Sequence, residues 1–187
     1  MKKIAITYHS GYGHTARQAQ SVLEGASSLS GVDARLYDVT TLDDAAWSEL
    51  DAADAIIFGA PTYMGSLSFK FKEFMEISSK RWFAQTWKDK FAAGFTCSAA
   101  QSGDKLNALI QLMIFAGQHS MIWVSLGILP GNNSTRGSVN DLNRLGGYSG
   151  AIAQANADQG ADGMLESDLK TASLLGQRVA EQLLRLK

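Results

Sequence analysis

Five short apolar runs, KIAITYH (3–9), VDARLYDV (32–39), DAIIFGA (54–60), KFAAGFTCS (90–98) and MIWVSLG (121–127), recur along the chain and limit what it can fold into. Several are apolar at consecutive positions instead of every second one, the pattern of a strand covered on both faces. Stripes of helical period separate them. Ala16, Ala19, Leu23 and Ala26 form one, Leu67, Phe71, Phe74 and Ser78 a second, and Leu106, Leu109, Ile110, Met113 and Ala116 a third. A short helix rich in Asp and Ala around 43–50 links the second and third runs. Leu165, Leu169, Ala172, Leu175, Val179, Leu183 and Leu186 line a C-terminal helix, with Glu166 and Asp168 in its first turn, where the helix dipole favours acids. Strand and helix thus alternate five times. This predicts an α/β fold with a parallel five-stranded sheet and helices on both faces, a three-layer sandwich that residues 1–187 build as one domain. Only residues 128–163 lack periodicity, and an irregular stretch of that length usually carries function.

Composition excludes several classes of function. A net charge of -1 over 187 residues gives no general attraction to nucleic acid or anionic lipid. No apolar run approaches the ~20 residues of a membrane span, and the Lys2-Lys3 start leads into too short an apolar stretch for a signal peptide. A cytoplasmic protein is therefore expected. Cys97 is the single cysteine, so neither an internal disulfide nor a C-x-x-C redox pair can form. Inside a strand end it reads as a small buried apolar residue. His9, His14 and His119 lack metal-site spacing, and no metal is expected. The basic residues between Lys80 and Lys90 read as a solvated helix face, with contact to a nucleotide 2′-phosphate as the alternative.

In a doubly wound sheet, ligands bind beyond the carboxyl ends of the strands. Three loops should therefore converge there. After the first run, Gly11, Gly13 and Ala16 fit the G-x-G-x-x-A spacing of a dinucleotide loop, with Asp38 as the acid for a ribose. The same loop carries Ser10, His14 and Thr15, polar groups suited to gripping one terminal phosphate at a helix start, with Tyr12 beside them. After the third run, Pro61 keeps Ala60 extended, and Thr62, Tyr63, Met64 and Gly65 offer a flat ring and a polarizable sulfur to a heterocycle. After the fourth, Cys97, Ser98, Ala99, Ala100, Gln101, Ser102 and Gly103 supply small side chains and amides that let backbone approach the same ring. Five strands and a helical end match the 2-1-3-4-5 order of flavodoxins better than the six strands of a dinucleotide fold. The set favours FMN over a dinucleotide.

SGYGHT, then DAIIFGAPTYMGSLSFKFKEFME, then FAGQHSMIWVSLG resemble, in order and spacing, the WrbA-type NAD(P)H:quinone oxidoreductases of the flavodoxin-like superfamily, within the broader NADPH-dependent FMN reductases. The likeness runs over nearly the whole chain. It implies bound FMN, NAD(P)H as hydride donor, a small quinone as acceptor, ping-pong turnover and a homo-oligomer, generally a tetramer. Residue by residue, it implies that SGYGHT holds the FMN phosphate and that Thr62, Tyr63 and Met64 form the second flavin loop. It places Trp82 over the substrate side, His119 beside the flavin as a hydrogen-bond donor to flavin or quinone, and Tyr148 at the pocket mouth, with Tyr12 as a further substrate wall. Two features depart from the family: CSAAQSG holds only Gly103 where the family loop is rich in glycine, and the connection between strands two and three is short. The alternatives are a flavodoxin-like carrier of single electrons and a regulatory FMN-binding protein.

Overall fold

The computed structural model describes residues 1–185, so Leu186 of the C-terminal stripe lies outside the described residues. The elements run β1 (Lys2–Tyr8), α1 (His14–Ala26), β2 (Val32–Asp38), α2 (Asp44–Ala52), β3 (Ala55–Tyr63), β4 (Ser66–Leu67), α3 (Phe69–Ile77), α4 (Ser79–Phe83), β5 (Phe91–Ser98), α5 (Lys105–Gln118), β6 (Ile122–Trp123), β7 (Ala151–Gln154) and α6 (Glu166–Arg185). The sheet is ordered β2-β1-β3-β5-β6, and these neighbours are parallel. This is the expected 2-1-3-4-5 arrangement.

Both faces are covered, as the consecutive apolar runs demand. Ile4 and Ile6 of β1 and Ile57 of β3 pack with Val22 of α1 and Leu175 and Val179 of α6. Ala5, Ile56 and Phe58 point the other way, into Leu50 of α2, Phe71 and Phe74 of α3, Trp87, and Leu109 and Leu112 of α5. Asp43 caps α2 by accepting from the Ala46 N–H at 2.8 Å, which satisfies one of the helix's free first-turn donors.

Two expectations are corrected. The fifth run, 121–127, forms a strand only at Ile122 and Trp123, paired with Phe91 and Ala92. The chain then leaves the sheet, and β7, from the stretch read as a loop, takes over the same edge beside Phe95–Ser98. The edge of β5 near the carboxyl end would otherwise present unpaired N–H and C=O groups, and the returning segment satisfies them. The third helical stripe is also out of phase. Ala108, Leu109, Leu112, Phe115 and Ala116 are buried, whereas Leu106, Ile110 and Met113 are exposed. The helix is apolar almost all round, so periodicity alone could not choose its inner face.

A buried ion pair fastens the returning segment. Arg144 donates to both carboxylate oxygens of Asp168, at 2.9 and 2.7 Å, and Asp168 also accepts from the Gln154 N–H at 2.9 Å. Asp168 therefore anchors the chain that carries β7, and its position in the first turn of α6 is secondary.

Candidate functional site

A cleft of about 670 Å³ opens beyond the carboxyl ends of β1, β3 and β5. Residues of all three expected loops line it: Ser10, Gly11, Tyr12, His14 and Thr15 from the first, Pro61, Thr62, Tyr63 and Met64 from the second, and Cys97, Ser98 and Ala99 from the third. Its volume lies in the range of pockets that take a small molecule or cofactor.

The first loop is arranged around the start of α1. Ser10 Oγ accepts from the Gly13 N–H at 3.0 Å, Gly13 has φ +92°, and no side chain caps the helix. Its first-turn N–H groups stay free for an anion, which the helix dipole also favours. Gly11 lies close under the Tyr63 hydroxyl, which a side chain at this position would displace. Tyr12 and Tyr63 meet edge to face with ring centroids 6.3 Å apart, and Tyr12 is 79% exposed at the mouth. His14 lines the cleft with its Nε2 paired to the carbonyl of Gln159, another lining residue, at 2.9 Å.

The second loop is a hairpin. Thr62 and Tyr63 pair antiparallel with Leu67 and Ser66, and Met64 and Gly65 both have positive φ, 48° and 74°. Two such central residues define the turn whose twist suits a two-residue hairpin. Met64 stands at its tip, fully exposed, and a non-glycine residue held there marks a segment whose position matters more than its strain. Asn107 Nδ2 donates to the Gly65 carbonyl at 2.7 Å and Ser66 Oγ to Gln111 Oε1 at 3.0 Å, fixing the hairpin to α5. The Thr62 hydroxyl is spent inside the fold, on Thr96 Oγ1 at 2.7 Å.

The third loop uses its one glycine where nothing else fits. Gly103 has φ +54°, and a side chain there would strike Ser98 Oγ. Lys105 Nζ donates to Ser98 Oγ at 2.9 Å and to the Ala100 carbonyl, while Gln154 Nε2 donates to the Ala99 carbonyl at 3.1 Å. Ala100, Gln101, Ser102 and Gly103 turn away from the cleft, and Gln101 and Ser102 line a separate groove beside Tyr148. Burial pushes the Cys97 thiol up to about 12, so it is a protonated wall atom and not a nucleophile.

Three residues lining the cleft carried no signal at the level of sequence: Ala155, Ala157 and Gln159, all just after β7. A short run of alanines in a polar stretch gives no period to detect. Three others are not brought into the cleft by their own chain. Tyr148 belongs to the groove beside α5, and Trp82 and His119 line another groove between α3, α4 and α5. His119 is 2% exposed and packs on Trp87 at 4.5 Å, just before the amino end of β5, whose opposite end walls the cleft. Ser78 Oγ donates to the Met75 carbonyl, so His119 Nε2 donates to Ser78 at 2.9 Å and the bare Nδ1 has no partner among the described residues. Burial, then Arg81, lowers this imidazole to about 4, so it is neutral near pH 7. Asp38 ends β2 by accepting from Thr40 N and Oγ1, a local turn and not a ribose contact. Arg81 is paired with Asp51 at 2.8 Å and Lys90 is bound by carbonyls of residues 50, 51 and 53, so neither is free for a nucleotide phosphate.

A flavodoxin-like sheet with a phosphate-gripping helix start, an aromatic hairpin and a close backbone wall at one strand-end cleft defines an FMN-binding protein. Comparisons with known proteins agree with this class. Residues 9–135, more than half of the chain, match the NADPH-dependent FMN reductase family, and the chain belongs to that family. It is 45% identical over 181 residues to flavodoxin FldP of Pseudomonas aeruginosa, covering 96% of each chain. It is 29% identical over 202 residues to an NAD(P)H dehydrogenase (quinone) of Archaeoglobus fulgidus, covering 97% of each. The crystal structure of a flavodoxin, WrbA-like protein from Agrobacterium tumefaciens superposes with a TM-score of 0.80 at 42% identity over the whole of both chains. FMN is accordingly the cofactor, with NAD(P)H as electron donor.

Proposed function

We propose that this oxidoreductase passes two electrons from NAD(P)H, through FMN, to a small quinone. FMN supplies the redox chemistry; the chain binds it, leaves one side open and admits a second flat molecule. NAD(P)H gives up two electrons and a proton, and the quinone takes two electrons and two protons, the second from water at the open mouth. The observation that carries this reading is the mouth itself. Exposed Tyr12, edge-on Tyr63 and the Met64 tip wall a single opening, which suits one aromatic ring at a time and hence ping-pong turnover. Steady-state NADPH oxidation with a benzoquinone tests it: parallel lines in double-reciprocal plots support the reading, and no quinone-dependent turnover by FMN-loaded protein overturns it.

The rival reading, a carrier of single electrons to protein partners, is favoured by the likeness to a protein named flavodoxin. Against it, a net charge of -1 provides no strong field to steer a protein partner. The same assay decides between them.

The reading extends to a homo-oligomer of two or four copies. Phe69, Ile77, Trp82 and Phe83 of α3 and α4, with Leu106, Ile110 and Ile114 of α5, are exposed apolar residues on one side of the fold. A patch of that kind marks an association surface. Trp82 and His119 take part in substrate binding only if another copy brings their groove to a cleft. Light scattering on the eluting protein tests the assembly, with a monomer as the contradicting result.

A further inference from the structure

Lys105 stands in the wall between the FMN cleft and the groove beside Tyr148. It is 1% exposed, and its nitrogen donates to Ser98 Oγ and the Ala100 carbonyl, both neutral. Among the described residues no carboxylate pairs with it. The charged or titratable groups that face it are the Cys97 thiol of β5, Asp168 of α6 and Arg144. Asp168 is already held by both Arg144 contacts and by the Gln154 N–H. A buried cation with only neutral partners is costly, and a glutamine or methionine would fill the space without that cost. A ligand in the cleft that carries negative charge would offset that cost. Ser98, whose hydroxyl accepts from this cation, is itself part of the cleft wall, with Cys97 and Ala99 on either side.

We infer that Lys105 is a positioning residue that sets the redox preference of the cleft: it orders the glycine-poor third loop, and its buried positive charge makes the site hold two-electron-reduced FMN in preference to oxidised FMN. Reduced flavin carries negative charge that the oxidised form lacks. In a site of low dielectric a fixed cation behind the cleft wall favours the charged form. The effect suits an enzyme that exchanges electrons in pairs, because it makes acceptance of both from NAD(P)H more favourable. The inference rests on the assignment of FMN to this cleft.

The test compares the two redox states. Affinity for oxidised FMN comes from quenching of flavin fluorescence, and the two-electron potential of bound FMN from equilibration with a reference dye. Lys105→Gln keeps a donor toward Ser98 and Ala100 without the charge, and Lys105→Met removes both. In each variant the ratio of reduced to oxidised affinity is expected to fall roughly tenfold, which equals a potential lower by about 30 mV for a two-electron couple. Lys105→Gln should keep most of its affinity for oxidised FMN. A purely structural staple would weaken both states alike and leave the ratio unchanged, and that result overturns the inference. Should neither variant fold, the wild-type protein serves. Burial lowers the Lys105 amine to about 8. The affinity ratio, corrected for free FMN, should therefore fall as pH rises through that value, and a flat profile overturns the inference. Wild-type protein that does not bind oxidised FMN at all is a different result, which removes the cofactor assignment itself.

Discussion

The first and third loops wall the same cleft by opposite means. The first, residues 10–15, is built from its own backbone: a left-handed glycine, a serine hydroxyl three residues back and the open start of α1. The third, residues 97–104, has one glycine and is held by distant parts of the chain, through Lys105 from α5 and through Gln154 and Ala155 of the returning segment, which Arg144 and Asp168 anchor in turn. A locally made loop can be altered with little cost to the fold. A loop held from afar cannot.

The largest effect should come from that distant anchor. Arg144→Met leaves Asp168 buried without its counterion and should destabilise the protein by ~3–5 kcal/mol, read by urea unfolding. Adding Asp168→Leu removes the stranded charge but also the Gln154 anchor, so only part of the loss should return; a double variant as stable as the wild type would show that the pair is not what holds β7. Next, Gly103→Ala meets both a left-handed backbone and Ser98 Oγ, and ~1–3 kcal/mol of stability should go, together with FMN affinity. Ser10→Ala, by contrast, removes one bond to a loop amide. About 1 kcal/mol of FMN binding, roughly fivefold in Kd, is expected with an unchanged melting temperature. Equal losses of stability at Ser10 and Gly103 would erase the distinction between the two loops.

A further effect, confined to acid pH, lies outside both loops. His119 ordinarily titrates at 6.5 and is lowered by burial to about 4, so the unfolded chain binds a proton there before the native one does. Stability should thus be retained above about pH 6.5 and decline as pH falls toward about 4. His119→Phe should flatten that decline and leave FMN affinity of the single chain untouched. A changed affinity in a monomeric sample would place His119 nearer the cofactor than its packing on Trp87 allows.

Much of this was legible in the sequence. β1, β3 and β5 announce themselves because a strand buried on both faces has no polar side to interrupt it, and loops 10–15 and 61–65 follow from glycine and proline placed just beyond strand ends. β7 was not legible: AIAQ is four residues within a polar stretch, and only the open edge of β5 makes it a strand. Ala155, Ala157 and Gln159 enter the cleft wall for the same reason. Trp82 and His119 lie in a groove apart from the cleft of their own chain. In a parallel sheet a crossover helix ends at the amino end of the next strand, so α5 carries His119 to the end of the sheet opposite the cleft, and the likeness to the family could not by itself place it at the site of the same chain. Lys105 is buried because it lies four and seven residues before Leu109 and Leu112 on the inner face of α5, a face that the sequence could not select.

The most direct test of the whole account is the absorption spectrum of the FMN-loaded protein under nitrogen, followed as NADPH and then a benzoquinone are added. Loss of the flavin band on the first addition and its stoichiometric return on the second are predicted. A band that NADPH leaves unchanged, or that quinone does not restore, would contradict it.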